Sequence, residues 1–264
     1  MNDIEAIRDI DEQVFDTIKE PLAEISSSFS KTQYPKTLST FSLFVAKVDF
    51  IKNAIFDVSS NEDIYSSKIL YRALIEHMLK FQYLFFRFSQ EKSDRPAEEY
   101  ELFSDLAEDV EYTKAWLTVS KIRNDANTQQ DIWDRLKEVK PELAKYSKKE
   151  IEEKVSQFRY KNVIKYINDV LPSDDRSREL PILKLIPEYS ELSSFVHAGP
   201  FANRFILRHS DKAKRHEELL YVCEMAFLIA TSVKEFTFMA AASTDRKYLN
   251  VVNQLTQIRR ANAS

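Results

Sequence analysis

The chain contains a single glycine, Gly199, among its 264 residues. An average composition, with glycine at ~7%, would give roughly eighteen. Hairpin turns, β-bulges and phosphate-binding loops rely on glycine because it adopts positive φ angles at little cost. The shortage argues against β-rich folds and excludes the P-loop and Gly-x-Gly-x-x-Gly motifs. We therefore expect one all-α domain over residues 1–264, a bundle of about eight to ten helices with a buried apolar helix at its centre.

The sequence also has little cysteine and no uninterrupted apolar run. One cysteine, Cys223, precludes an internal disulfide and is typical of a reducing cytosol, so we expect a cytoplasmic protein. The net charge of −4 gives no overall basic field that would attract nucleic acid. Residues 219–242 are apolar but contain charged residues, whereas a membrane-spanning helix needs about 20 residues almost without charge. The acidic, amphipathic N-terminus does not resemble a signal peptide, and no membrane partner is expected.

Motifs for metal and nucleophilic chemistry are missing as well. The sequence has no His-Glu-x-x-His, no cysteine pair and no repeated Glu-x-x-His, so we expect neither a metal nor a cofactor. It has no Gly-x-Ser-x-Gly elbow to activate a serine. Catalytic residues therefore stay unknown, and the sequence does not decide whether the protein is an enzyme.

Proline and charge patterns divide the chain into segments. Residues 97–127 are predicted to form one long helix, and the lysine-rich residues 129–171 a charged peripheral helical hairpin. Residues 172–187 contain three prolines and are predicted to be a linker. Pro187 is then expected at the first position of a helix that stops at Gly199, in the left-handed conformation, before Pro200.

Residues 69–88 form the central segment of the predicted fold. They are apolar almost all the way round a helix, and His77 lies within the main apolar stripe. Arg72 and Glu76 lie opposite this stripe and one turn apart. Buried charges must be paired, because removing each one from water costs several kcal/mol, about 3–5 when a partner is lost. The pair is either an ordinary ion pair at the edge of the core or part of a polar site between helices.

A second segment, residues 189–200, places three polar side chains on one helical face. Tyr189, Ser193 and His197 are spaced i, i+4 and i+8, so they lie within about 80° of one another. One interpretation is a histidine at a helix C-terminus, where its cation is favourable. The other is a binding or catalytic role, in which these residues supply the partners that Arg72 and Glu76 need.

The two motifs together carry a family resemblance. Arg-x-x-x-Glu in an apolar helix, followed by Tyr-x-x-x-Ser-x-x-x-His, resembles a group of bacterial helical families of unknown function. The resemblance implies that the two segments face each other around a buried polar site. It favours a binding or regulatory module for an unknown small polar ligand or protein partner. The residues that match are Arg72, Glu76, Tyr189, Ser193 and His197.

An alternative hypothesis rests on arginine and histidine five positions apart, at Arg72–His77 and Arg204–His209. This spacing resembles the HEPN superfamily, helical nucleotide-binding domains that include many bacterial ribonuclease toxins. The resemblance implies RNA cleavage across a homodimer interface. That superfamily prefers a polar residue directly after the arginine, and both Ala73 and Phe205 depart from this preference.

The second of these pairs lies in a basic segment, residues 204–216, at a predicted helix N-terminus. Such a position could bind phosphate or an RNA backbone through free backbone N–H groups and cationic side chains. The simpler interpretation is a solvated basic turn. The candidate residues are Arg204, Arg208, His209, Lys212 and Arg215.

Overall fold

A computed structural model describes residues 3–123, 132–171, 181–197 and 199–261, with side chains from residue 185 in the third stretch. All regular structure in these ranges is helical, which confirms the all-α prediction, although the helices outnumber the eight to ten expected. Two short 3-10 helices, Phe29–Lys31 and Pro141–Lys145, accompany the α-helices. The α-helices are α1 Ile4–Ser28, α2 Pro35–Ser60, α3 Ile64–Glu91, α4 Arg95–Phe103, α5 Leu106–Ile122, α6 Ile132–Val139, α7 Lys148–Gln157, α8 Tyr160–Val170, α9 Pro181–Val196, α10 Pro200–Arg208, α11 Lys212–Ala242 and α12 Tyr248–Ala261.

Helix α3 is the centre of the bundle. Its first turn is capped by Asp63, whose carboxylate accepts a hydrogen bond from the Ser66 N–H at 3.0 Å. It packs against α2, α4, α8, α9 and α11, so both its main apolar stripe and its opposite flank are covered. Ile75 and Leu79, on that opposite flank, are as buried as Phe81 on the stripe. The predicted central helix is therefore confirmed.

A charged network lies inside the bundle between α1, α2 and α11. Lys52 donates to Asp11 and to Asp49, and Lys234 lies 2.6 Å from Asp49. Burial lowers the pKa of Lys234, while the two carboxylates oppose that shift. Two lysines thus offset two aspartates, which satisfies the requirement that buried charges be paired.

Several predicted boundaries are wrong. The expected helix over residues 97–127 is two helices, α4 and α5, because the chain bends at Ser104 and Asp105. Helix α9 begins at Pro181, so residues 181–187 are helical and Pro187 lies inside the helix. The remainder of the predicted linker, residues 172–180, lies outside the described residues, as do residues 124–131.

Gly199 does not have the left-handed conformation that its position before Pro200 predicted. Its φ is −74°, and it precedes α10 instead of ending α9, whose last residue is Val196. Glycine leaves room here for the Ser194 hydroxyl, because a Cβ atom would lie 2.4 Å from the Ser194 Oγ, which accepts a hydrogen bond from the Ala202 N–H. The Gly199 N–H donates to the Ser194 carbonyl at 2.7 Å, which fixes this close approach.

Helices α7 and α8, from the charged segment 129–171, place their apolar residues on the bundle. Phe158, Val163 and Ile167 are buried, and the Phe158 ring meets Tyr83 of α3 edge to face. Their packing leaves a cleft between α3, α5 and α8. None of the helices in the described ranges combines the length and apolar character needed to cross a membrane.

Candidate functional site

The structure brings Arg72 of α3 together with two residues of α9. The Arg72 Nε donates to the Ser193 Oγ at 3.2 Å, and its Nη2 donates to the Tyr189 hydroxyl at 2.9 Å. The guanidinium carbon lies 4.5 Å from the centre of the Tyr189 ring. The Arg72 Nη1 faces Glu76 at 3.6 Å, and the arginine side chain is only 20% exposed. Each nitrogen of the guanidinium therefore has a partner within the protein.

Glu76 is the carboxylate that accepts hydrogen bonds among these side chains. Its Oε1 lies 3.1 Å from the Lys80 Nζ, one turn further along α3, and its Oε2 accepts from the Tyr189 hydroxyl at 3.3 Å. Burial alone would raise the pKa of Glu76, but Lys80, Arg72 and Tyr189 outweigh burial and hold that pKa below its usual value. Arg72, Glu76, Lys80, Tyr189 and Ser193 are hereafter called the Arg72 cluster.

Tyr160 extends the cluster toward α8. Its ring stacks on the Tyr189 ring with centroids 4.1 Å apart and an angle of 20° between the planes. Its hydroxyl donates to the Ile186 carbonyl of α9 at 3.0 Å. Burial raises the pKa of Tyr160 to about 12, so the hydroxyl stays protonated as a donor at neutral pH.

A cavity of about 210 Å³ opens beside the Arg72 cluster, between α3, α5 and α8. Glu76 and Lys80 belong both to the Arg72 cluster and to the cavity wall, and Tyr160, which stacks on Tyr189 of the cluster, also lines the cavity. The cavity is lined by charged residues of both signs, and its floor is formed by buried apolar residues. The lining residues are Glu76, Leu79, Lys80, Ser104, Ala107, Glu108, Phe158, Arg159, Tyr160 and Val163.

His197 is not part of this arrangement. The predicted face assumed that the helix continues through residue 197, but α9 ends at Val196 and His197 lies in the following turn. Its side chain is exposed, and only its backbone N–H contacts Ser193, at the carbonyl. The Ser193 hydroxyl donates to the Tyr189 carbonyl at 3.1 Å and therefore has no histidine to activate it.

A second polar cluster, which was not predicted from the sequence, lies on the other flank of α9. The Glu188 Oε2 accepts from the Tyr71 hydroxyl at 3.0 Å and from the Tyr221 hydroxyl at 3.2 Å. Beside them, the buried Lys68 donates to Glu218 of α11. Burial raises the pKa of Glu188, and the attraction of Lys68 does not compensate. These five residues are hereafter called the Glu188 cluster.

The histidines of the two arginine–histidine pairs are turned inward. The His209 ring stacks on Phe205 with centroids 4.0 Å apart, and its Nδ1 is 2.8 Å from the Phe205 carbonyl oxygen. Its Nε2 lies 3.8 Å from Glu218, while Arg204 is exposed. His77 is half-buried, packs on Phe44 and contacts its own helix backbone, and burial lowers its pKa.

The basic segment is partly neutralised by the protein itself. The Asp211 carboxylate accepts from the N–H groups of Ala213 and Lys214 and so occupies the backbone donors at the start of α11 that a phosphate would use. Lys212 and Arg215 both pair with Glu62, at 3.2 and 3.3 Å. Arg208, like Arg204, is exposed.

Three of the residues that build the site escaped the sequence prediction. Lys80 had a local signal, because it lies four positions after Glu76 on the same helix. Tyr160 and Arg159 had none, because their contacts depend on how α8 docks on the bundle. Within the described ranges, no group of three histidine, cysteine, aspartate or glutamate side chains is arranged to hold a metal ion.

Fold and site together define a class: an all-α bundle whose central helix is joined to α9 by two polar clusters, one of them beside a cavity. The chain belongs to DUF5677, a family of unknown function, whose sequence profile matches residues 40–214. That span contains Arg72, Glu76, Tyr189 and Ser193, and the match itself indicates no HEPN relationship. No curated protein and no solved structure matches the chain.

Proposed function

We propose that this protein is a binding module that takes a small polar ligand in the cavity between α3, α5 and α8. The observation that carries the proposal is the shared wall: Glu76 and Tyr160 line the cavity and are both tied to the Arg72 cluster. A ligand there would meet polar groups that are already held in place. Bundle proteins commonly place ligand sites between helices in this way.

The size of the cavity limits the ligand. Pockets for drug-sized molecules usually measure about 300–1,000 Å³, whereas this cavity measures about 210 Å³. The floor, formed by Leu79, Phe158 and Val163, is buried and apolar, and the charged groups stand around it. This combination suits a small molecule with a short apolar body and at least one polar group.

The contacts favour binding over catalysis. The Arg72 guanidinium is engaged on all its nitrogens, and Glu76 is kept ionised by its neighbours. Ser193 has no base within its hydrogen bonds, since it accepts from Arg72 and donates to a backbone carbonyl. A group that serves as acid, base or nucleophile needs a free position toward the substrate. These residues are better explained as the support of the cavity.

Ligand-observed NMR with a library of fragment-sized molecules tests this function. Ala107 lines the cavity from α5, and Ala115 lies exposed on the same helix, so Ala107→Phe fills the cavity while Ala115→Phe is its matched control. We expect fragments that bind the wild type and Ala115→Phe but not Ala107→Phe. Fragments that bind Ala107→Phe equally well, or the absence of any bound fragment, would overturn the proposal.

A further inference from the structure

Among the described residues, the cavity lining holds two cations and two carboxylates, and Arg72, which pairs with Glu76 but does not line the cavity, adds one positive charge. The cations are Arg72, Lys80 and Arg159, and the carboxylates are Glu76 and Glu108. Glu76 is shared between Arg72 and Lys80, at 3.6 and 3.1 Å, so one carboxylate faces two cations. The surplus therefore lies on the α3 side of the cavity.

The cations keep donors for a ligand. Lys80 has three N–H donors, and the hydrogen bond to Glu76 uses one of them. Arg159 stands at the start of α8, on the opposite wall, and its guanidinium pairs with no carboxylate in the described part of the chain. A guanidinium presents a planar fork of donors that matches a carboxylate in a two-point contact. Lys80 and Arg159 thus line the cavity from two different walls.

Glu108 limits the charge of the ligand. It lies in the first turn of α5, where a carboxylate is favoured by the helix dipole, and it reaches the rim of the same cavity. A dianion would be repelled by Glu108 and would exceed the surplus of one positive charge. A monoanion matches that surplus, and the buried floor of Leu79 and Val163 suits an apolar body.

We infer that the ligand class is a small organic monocarboxylate, held by Arg159 and Lys80 with its apolar body on the cavity floor. This inference rests on the proposed function, because it assigns a chemistry to the same cavity. Replacing Arg159 tests which class of ligand binds. Unlike a substitution of Lys80, it leaves Glu76 and the Arg72 cluster undisturbed.

Matched probes with one body and three charges test the inference: benzoate, benzyl alcohol and benzylamine, with acetate, ethanol and ethylamine as a smaller set. We expect the carboxylates to bind the wild type most tightly in NMR titrations at low salt. Arg159→Gln should weaken carboxylate binding by about fivefold, the upper range for an exposed ion pair, and leave the alcohols unchanged. Arg246→Gln, at an exposed arginine outside the cavity, is the control. Added salt should weaken the carboxylates selectively.

The outcomes separate the two proposals. If alcohols or amines bind as tightly as the carboxylates and Ala107→Phe abolishes them all, the cavity binds ligands but the monocarboxylate assignment is wrong. Carboxylate binding that Arg159→Gln leaves unchanged also overturns the assignment. If none of the six probes binds, the assignment fails, and the fragment library alone then decides whether the cavity binds any ligand.

Discussion

The two flanks of α9 use the same kind of residue in opposite ways. Arg72 and Tyr71 are neighbours on α3, and Tyr189 and Glu188 are neighbours on α9, yet they form separate clusters. On one flank Glu76 has a lowered pKa, and on the other flank Glu188 has a raised one. Burial raises the pKa of both carboxyls, so burial does not explain the difference.

The partners explain it. Glu76 has two cations and a hydroxyl within reach, and these favour its ionised form. Glu188 has two neutral hydroxyl donors, while the nearby Lys68 is bonded to Glu218. The Arg72 flank therefore holds a charged cluster next to a cavity. The Glu188 flank holds a buried carboxyl whose partners do not offset the rise in its pKa that burial causes. Substitutions on each flank test whether the partners account for this difference in pKa.

The largest effect is expected on the charged flank, for Arg72→Ala. The variant removes hydrogen bonds to Tyr189 and Ser193, the ion pair with Glu76 and the contact with the Tyr189 ring. We expect a loss of about 2–3 kcal/mol in the free energy of unfolding, the range for hydrogen bonds to a charged group. Urea denaturation measures it, and Arg246→Ala, exposed on the surface, should change it by less than about 0.5 kcal/mol.

Arg72→Lys sharpens this first test. Lysine keeps the charge but cannot reproduce the planar fork that reaches two residues of α9. It should recover only a minor part of the lost stability. Equal stability of Arg72→Ala and Arg246→Ala would show that the Arg72 cluster does not hold α9 in place.

Only the Arg72 flank could be predicted from the sequence, and the reason is physical. An arginine and a glutamate in a strongly apolar helix signal a need for partners, and Tyr189 and Ser193 shared a helical face that could meet it. The Glu188 cluster gave no such signal, because Tyr71 and Glu188 are separated by more than a hundred residues and neither looks unusual locally. The position of His197 was predicted wrongly because α9 ends at Val196, two residues earlier than expected. This end lies next to the contact between Gly199 and Ser194.

Fold class was more accessible than helix boundaries. Periodicity and the lack of glycine were enough to predict the all-α class, and the spacing of Ser147 and Glu150 is the capping box that starts α7. The bend at Ser104 and Asp105 carries no proline or glycine, and its local signal was only the spacing of Asp105 and Glu108, which is typical of a helix N-terminus. Packing of α4 and α5 on different neighbours decides that break.

The second prediction concerns Glu76 and Glu188 and the way their contributions to the free energy of unfolding depend on pH. Because the folded-state pKa of Glu76 is lowered, Glu76 contributes stability above the usual glutamate value of 4.5 and loses it as pH falls through the folded pKa. Glu76→Gln should therefore destabilise the protein at pH 7 by about 1 kcal/mol, less than the ~1.5–3 kcal/mol of a buried hydrogen bond to a charged group, because the Glu76 side chain is 34% exposed. The deficit should disappear in acid.

Glu188→Gln should show the reverse dependence. Its folded-state pKa is raised, so the stability it contributes is complete below 4.5 and is lost as pH rises through the folded pKa. Glutamine still accepts from Tyr71 and Tyr221, so the variant should equal the wild type in acid and exceed its stability at pH 7. Urea titrations from about pH 2.5 to pH 8 check both variants, because the folded-state pKa of Glu76 lies below 4.5. Parallel curves for the two would refute the contrast between the flanks.

Two variants of Tyr160 test how this residue joins α8 to α9. Tyr160→Phe loses the hydrogen bond to the Ile186 carbonyl but keeps the ring stack on Tyr189, a loss of about 1 kcal/mol. Tyr160→Leu also loses the stack, which adds about 0.5–1.5 kcal/mol. Thermal unfolding of the two variants separates the contributions. If both lose equally, the stack does not stabilise the docking of α8.

The smallest effect is expected on the surface beyond the Glu188 flank, for Arg204→Ala. Arg204 is exposed, so the free energy of unfolding should change by no more than about 0.5 kcal/mol. Five helical positions separate Arg204 from residue 209, which turns the two side chains about 140° apart. His209 is stacked on Phe205 and directed at Glu218. Within one chain, the pair therefore does not converge on a common substrate atom.

Total RNA incubated with wild type, Arg204→Ala and His209→Ala should consequently remain equally intact in all three samples. Gel analysis, with a known ribonuclease as positive control, measures this directly. Cleavage by the wild type that both variants lose would require a second chain to complete the site, because the geometry within one chain keeps Arg204 and His209 apart. That result would favour the ribonuclease hypothesis over the binding module and would move the functional centre from the Arg72 flank to α10.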